Sequence, residues 1–536
     1  MCSAGEKEKD LAGARRVRKK DPPARRPAGG GPDRRRLSQR EEMKTMKEKT
    51  ARQKRRPTLM EALIPIIAML VILFYGKGLK GWATEPLLII VAAIAGFIAL
   101  RVGCTWGEMM DEISNKIAKG MPAILILVSV GALIGTWKAS GTIPMMIYYG
   151  IQIVNPKFLL VTAFLITALV SIVTGTSWGS VGTMGVALMG IASGLSVSLP
   201  ATAGAVIAGS YFGDKLSPLS DTTNLAPIAA GSELYSHIKH MLWTTLPATV
   251  VSLIVYAIAG MGTGVVSVAN PETVDTMLST LDTMYSWNIL LLLPAVMILA
   301  GSVLKLPTIP VMMGSSALAG VMAFFVQHIS LENILKSTVS GFDVSMVNVE
   351  GFDPGAVIWE VTRLINGGGM NGIMSTTLLV FCAFCFAGIM SCAGCLDVVL
   401  NALLSVVKTT GGLIASTVLS CLTMALTTGN SYLSILIPGE MFRDAYRKRG
   451  LAAVNLSRTL EDAGTVSVPI VPWSAAGAYM TATLGVETLD YLPWAVLCYA
   501  GFMFALFYGF TGIGIKKMTP EEIAAAEAQE AGRRPE

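Results

Sequence analysis

Gly209-Ser-Tyr-Phe-Gly-Asp-Lys-Leu-Ser-Pro-Leu-Ser-Asp-Thr-Thr-Asn-Leu-Ala-Pro227 decides how this chain is to be read. The stretch is rich in hydroxyls, carries two carboxylates and is interrupted by Pro218, yet it is flanked by apolar sequence on both sides. Proline inside a helix removes a backbone donor and forces a break. Working outward, apolar runs recur along the chain: Leu63–Tyr75, Pro86–Leu100, Phe158–Val173, Leu242–Ala259, Ile289–Val303, Pro310–Val326, Met374–Met390 and Leu492–Phe510. Only 15% of the 536 residues are charged and 52% are hydrophobic, against about 25% charged in ordinary soluble domains. Stretches of this kind near twenty residues long read as membrane helices. The expectation is an all-α polytopic membrane protein with about 10–13 membrane segments, some of them broken or re-entrant.

Charge is distributed unevenly. Residues 1–56 hold 20 Lys/Arg and 8 Asp/Glu. With much Pro and Gly and little apolar content, this segment reads as a disordered basic tail on the cytoplasmic side. A tail adjoining a membrane helix argues against nucleic acid as a partner. No small-residue cleavage site marks a signal peptide before the first apolar run. Met43 and Met46 are candidate starts.

Internal repetition suggests two halves. Thr174-Gly-Thr-Ser-Trp178 resembles Thr428-Gly-Asn-Ser-Tyr432, Phe212-Gly-Asp214 resembles Leu460-Glu-Asp462, and Trp243 resembles Trp494. The expected organisation is a first membrane repeat at 57–262, an external linker at 263–286, a second repeat at 287–513 and a cytoplasmic tail at 514–536. The linker contains Glu272, Asp275 and Asp282 but no Lys or Arg, and Lys516-Lys517 follows the last apolar run. By the excess of basic residues in cytoplasmic loops, both termini lie inside and each half crosses an odd number of times, so the repeats are inverted. The uncharged Gly190–Pro200 reads as an outside loop, and Met441–Arg458, with Arg443, Arg447, Lys448, Arg449 and Arg458, as an inside one.

Two regions depart from the apolar pattern. One is Thr174–Thr183 with Gly209–Pro227; the other is Thr427–Tyr432 with Arg458–Pro469 and Pro472-Trp473. Irregular backbone at membrane depth is tolerated only where it lines a cavity or is enclosed by protein. Hydroxyl, amide and carbonyl oxygens suit a hard cation. The ionisable residues Asp214, Asp221, Glu461 and Asp462 are functional candidates, since such groups are costly in a membrane. Candidate oxygen ligands are Thr176, Ser177, Ser217, Ser220, Thr222, Thr223 and Asn224 from the first region, and Asn430, Ser431 and Thr465 from the second. A carboxylate that binds either H+ or Na+ couples the two by competition. The bland alternative pairs Asp214 with Lys215 or Arg458 as a structural ion pair.

Other classes are weaker. Cys382-x-x-Cys385 and Cys392-x-x-Cys395 have zinc-like spacing. On one helix, however, Cys382 and Cys395 would be about 20 Å apart, so the four read as small buried thiols. His237 and His240 read as interfacial. No phosphate-binding glycine loop, His-rich metal site or nucleophile triad suggests an enzyme, and no cofactor is expected beyond transported ions. A carrier of small organic anions would need a basic site, for which Arg458 and Lys215 are available.

The run Gly175–Ala187, the run Tyr211–Pro227 and the run Asn455–Thr465 followed by Pro472-Trp473 resemble the NhaC-type Na+/H+ antiporter family of the ion transporter superfamily. The resemblance covers roughly 57–513. It implies inverted repeats, a scaffold domain, a mobile transport domain and a homodimer in the cell inner (cytoplasmic) membrane, with Na+ and H+ as substrates. One departure is Gly429-Asn430-Ser431, where members often carry an acidic or Gln residue before the equivalent of Tyr432. The same resemblance extends to exchangers of Na+-coupled malate for lactate.

Overall fold

A computed structural model describes residues 54–262, 271–520 and 523. Residues 1–53 of the tail expected at 1–56, residues 263–270 of the linker and most of the segment after 520 lie outside the described residues. Short turns apart, the helices are α1 Leu59–Leu73, α2 Thr84–Arg101, α3 Trp106–Ser140, α4 Thr142–Ile153, α5 Leu159–Thr174, α6 at 177–194, α7 Leu199–Leu216, α8 Asp221–Ala230, α9 Leu234–Met261 and α10 Pro271–Met284. They continue as α11 Leu293–Val303, α12 Thr308–Phe325, α13 Leu331–Ser340, α14 Trp359–Ile365, α15 Met374–Ala393, α16 Cys395–Ser405, α17 Thr410–Thr428, α18 Ser431–Lys448, α19 Ala453–Leu460, α20 Ala475–Leu484 and α21 Val496–Thr511. Among the described residues, β-pairing is limited to two isolated bridges, Phe342–Gly367 and Leu451–Lys517. Eight described helices are long and apolar enough to span a membrane, and two bent pairs raise this to ten. The protein is an all-α polytopic membrane protein.

Local chemistry fixes many ends. Thr58 and Glu61 form a reciprocal capping box at the start of α1, and Thr105 and Glu108 do the same for α3. Such boxes satisfy backbone donors that the first helical turn leaves open. Glu61 also accepts from Arg55 at 2.6 Å and lies 3.2 Å from Arg101, tying the approach to α1 to the end of α2.

The repeat has a tighter register than the motifs suggest. Ser177 and Ser431 open α6 and α18, Leu199 and Ala453 open α7 and α19, and Asp221 and Ala475 open α8 and α20; each pair is 254 positions apart. Thr174–Trp178 and Thr428–Tyr432 keep this offset. Phe212–Asp214 and Leu460–Asp462 do not, because they stand 248 apart. They are therefore acids at different helical positions rather than counterparts. Trp243 and Trp494, 251 apart, are likewise out of register. The inside loop expected at Met441–Arg458 is mostly helix, since α18 runs through Lys448 and α19 begins at Ala453. Its arginines extend an amphipathic end, whose apolar Phe442 and Tyr446 are buried.

Candidate functional site

Two helix breaks build the centre of each half. α5 ends at Gly175, whose φ of +69° turns the chain, and Thr176 then caps α6 by accepting from Gly179 N at 3.3 Å. In the second half Gly429, with φ +60°, ends α17, and Asn430 caps α18 by accepting from Leu433 N at 3.2 Å. The second breaks match as well. Ser220 caps α8 through Thr223 N at 3.4 Å, and Ser474 caps α20 through Gly477 N at 2.8 Å. In each half the two breaks touch: a side chain on Gly175 would meet Leu219, and one on Gly429 would meet Ser474 and Trp473. The hydroxyl and amide residues that made these stretches look anomalous are thus needed first as caps, which satisfy backbone groups that no lipid can.

The carboxylates sit in different surroundings. Asp214, near the end of α7, is buried and accepts from Ser177 Oγ at 2.8 Å across the α5–α6 break. Asp462 is fully buried and pairs with Lys215, and it accepts from Thr244 Oγ1 of α9 at 3.1 Å. Lys215 therefore serves the opposite half rather than its neighbour Asp214, against the alternative that paired Asp214 with Lys215. Glu461 is fully buried, and among the described residues neither of its oxygens has a hydrogen-bond partner. Asp214 and Lys215 lie close enough to act on it by charge, and the hydroxyls of Thr222 and Thr465 lie beside it. Glu461 and Asp462 lie on a π-turn, 461–465, that continues α19. Such wide turns locally offset the helix surface and are frequent at functional sites. Asp221 differs from the others: it is exposed on the first turn of α8, with the Tyr432 hydroxyl 3.5 Å from its Oδ2.

Of the other candidates, Ser217 donates to Ile172 O at 2.8 Å, and Thr223 donates to Asp214 O at 3.0 Å, which holds the α7–α8 break. Asn224 donates to Ser220 O at 2.7 Å and Pro218 O at 2.9 Å. Thr222 and Ser220 are 3.2 Å apart through their hydroxyls. Ser431 is the half-buried first residue of α18. The structure thus gathers Asp214, Ser177, Lys215, Asp462, Glu461, Thr222 and Thr465, and leaves Asp221 at an open approach. Thr244 was missed by sequence reasoning, since an isolated threonine in an apolar run gives no signal.

The two histidines are enclosed by protein. Both are buried: His237 Nδ1 lies 2.9 Å from Ser457 Oγ, and His240 Nε2 lies 3.2 Å from Asn455 Oδ1. Arg458 is fully buried, donates to Gly514 O at 3.0 Å and lies over Tyr508 at 5.9 Å. Among the described residues its Nε and Nη2 have no hydrogen-bond partner.

Comparison with known proteins places this arrangement. Residues 209–513 match the model of the Na+/H+ antiporter family. An uncharacterized Na+/H+ antiporter of Haemophilus influenzae is 52% identical over 470 residues, covering 88% of this chain and 99% of that protein. The chain belongs to the Na+/H+ antiporter family. It is also 36% identical to the Na+/H+ antiporter NhaC of Alkalihalophilus pseudofirmus over 429 residues, 80% of this chain and 90% of that one. A malate-2H+/Na+-lactate antiporter of Bacillus subtilis is 32% identical over 458 residues, 85% of this chain and 96% of that one. Within this family the chain is a transporter. Its family match begins within α7 and contains Asp214, Asp221, Glu461 and Asp462.

Proposed function

We propose that the chain exchanges Na+ for H+ across the cytoplasmic membrane by alternating access, with both termini in the cytoplasm and as a homodimer. The observation that carries this reading is Glu461: a fully buried carboxyl group whose two oxygens have no hydrogen-bond partner among the described residues. An ionised carboxylate is expensive there, and binding either a proton or a cation neutralises it. The two loaded forms exclude each other. Movement of the site is favoured with one ion bound and opposed in the bare anion, so a gradient of either ion drives the other with no ATP and no cofactor.

Asp214, with its oxygens turned toward Ser177, supplies a second carboxylate beside Glu461, and Thr222 and Thr465 add hydroxyl oxygens. Hydroxyls and carboxylates are the donor set of a hard cation. Asp462, neutralised by Lys215, holds the two halves together at the ion path, and exposed Asp221 is the acid that meets the aqueous approach. Ser217, Ser220, Thr223, Asn224, Asn430 and Ser431 shape the breaks that let side chains and backbone oxygens face the ion.

One observation favours a second reading. Arg458 is buried with two unpartnered nitrogens, a group able to receive a carboxylate, and a relative is named for malate and lactate. Dye-monitored ΔpH in everted vesicles, with Na+, Li+, K+ and malate added in turn, separates the two. Exchange of Na+ alone for H+ supports the proposal. A response to malate that Na+ alone does not give would replace it with the anion reading.

A further inference from the structure

The sequence offers two Cys-x-x-Cys pairs, but they do not share one helix: Cys382, Cys385 and Cys392 lie on α15, and Cys395 opens α16 beyond the break at Gly394. The fold instead brings one of those cysteines to a third segment. Cys392, near the end of α15, meets Cys104 in the turn between α2 and α3, and the Cys104 thiol lies 3.1 Å from the Cys392 carbonyl oxygen. Glu108, on the first turn of α3, completes the group: its carboxylate and the two thiols each offer one atom, all within 4.8 Å of one another.

Three features make this more than a chance contact of thiols. Both sulfurs are free and buried, at 4% and 5% residue exposure, while Glu108 is 46% exposed and gives a route in from water. The carboxylate is already aimed. Glu108 Oε2 accepts the Thr105 amide at 2.7 Å and its hydroxyl at 3.1 Å. Oε1 lies 3.8 Å from the half-exposed Lys54 ammonium, which a metal would replace. The backbone that presents the ligands is also set by local chemistry. Gly103, with φ +99°, turns the chain after α2, and Gly394, with φ +69°, ends α15 two residues past Cys392.

We propose that Cys104, Cys392 and Glu108 bind a soft divalent cation of the Zn2+ or Cd2+ class, at a site separate from the ion path of Asp214 and Glu461. Thiolate-metal bonds near 2.3 Å in a tetrahedral arrangement put two sulfurs roughly 3.8 Å apart. Starting from separations within 4.8 Å, side-chain rotation supplies the remaining contraction of about 1 Å. On binding, each thiol gives its proton to solvent and the metal takes two thiolates and one carboxylate oxygen. Water fills the fourth position, as in open zinc sites. Sulfur donors exclude Na+ and Mg2+ in favour of soft metals. The bound metal pins the α2–α3 turn to the end of α15.

The test is a Cd2+ titration of the reduced, full-length protein purified in detergent, read by the thiolate-to-cadmium charge-transfer absorption. The wild-type chain is expected to saturate with one equivalent, to release protons to the buffer and to melt at a higher temperature when loaded. Cys104→Ser and Cys392→Ser should each abolish the tight band while melting normally without metal. Glu108→Gln, which keeps the helix cap, should retain the band and weaken binding at least tenfold. Cys395→Ser should leave the titration unchanged. Absence of a saturable band in the wild type overturns the proposal. So does a band that survives Cys104→Ser or is lost in Cys395→Ser, because the Cys-x-x-Cys pair would then be the ligand.

Discussion

Replacing Lys215 by Met removes the cation that Asp462 depends on. The pair is enclosed, with side-chain exposures of 2% and 0%, and among the described residues the Asp462 carboxylate otherwise accepts only from the Thr244 hydroxyl. Removing one member of a buried pair typically costs about 3–5 kcal/mol, because the remaining charge stays desolvated without compensation. A loss of that size shifts an unfolding equilibrium by roughly two to three and a half powers of ten. Replacing both members by apolar residues is often nearly neutral. Lys215→Met/Asp462→Val should therefore recover more than half of the stability that Lys215→Met loses, giving a coupling energy above ~1 kcal/mol. Unfolding of the detergent-solubilised single and double variants, followed by tryptophan fluorescence, measures each corner of the cycle. The reasoning fails if Lys215→Met melts with the wild type, or if the double variant is destabilised by the sum of the two single changes.

Three further outcomes follow from the same geometry. Gly175→Ala should harm folding and exchange more than Gly429→Ala: both need positive φ, but the new carbon would lie 2.5 Å from Leu219 Cβ in the first case and 3.1 Å from Ser474 Cα in the second. Strain of this kind is worth about 1–3 kcal/mol, and equal melting temperatures for the two variants would contradict it. A cysteine introduced at Thr276, on a background without accessible native thiols, should react with an impermeant maleimide in intact cells. Protection from the outside reagent would reverse the assigned topology. Deleting residues 2–42 should leave exchange nearly intact, since they contain no apolar run and no candidate ligand; loss of activity in protein that still reaches the membrane would contradict this.

The sequence made some of this legible and not the rest. Apolar runs gave the membrane helices because spanning length is set by the bilayer. The stretches around Thr176 and Ser220 announced broken helices, since caps and glycines in an apolar context have little other use. Asp214 and Glu461 stood out because carboxylates in such stretches are rare. The partner of Lys215 was hidden: nearness along the chain favours Asp214, whereas packing of α7 against the π-turn selects Asp462, 247 positions away. The register of the repeat was also obscured. Only the first of three motif matches keeps the 254-residue offset of the helix starts, because the eye aligns acids while the backbone aligns breaks. Cys104 gave no sign of meeting Cys392 at 288 positions' separation, since only the tertiary contact of the α2–α3 turn with the end of α15 joins them.

The central claim is that enclosed carboxylates from both halves carry the exchanged ions, and its most direct test is Na+-driven ΔpH in proteoliposomes containing Glu461→Gln or Asp214→Asn. Both substitutions preserve size and remove titration. Each variant, shown to be folded by its melting curve, is predicted to lose Na+-dependent proton movement while the wild type shows it. Near wild-type rate and apparent Na+ affinity in both variants would contradict the account and move the coupling to Asp221 and Asp462.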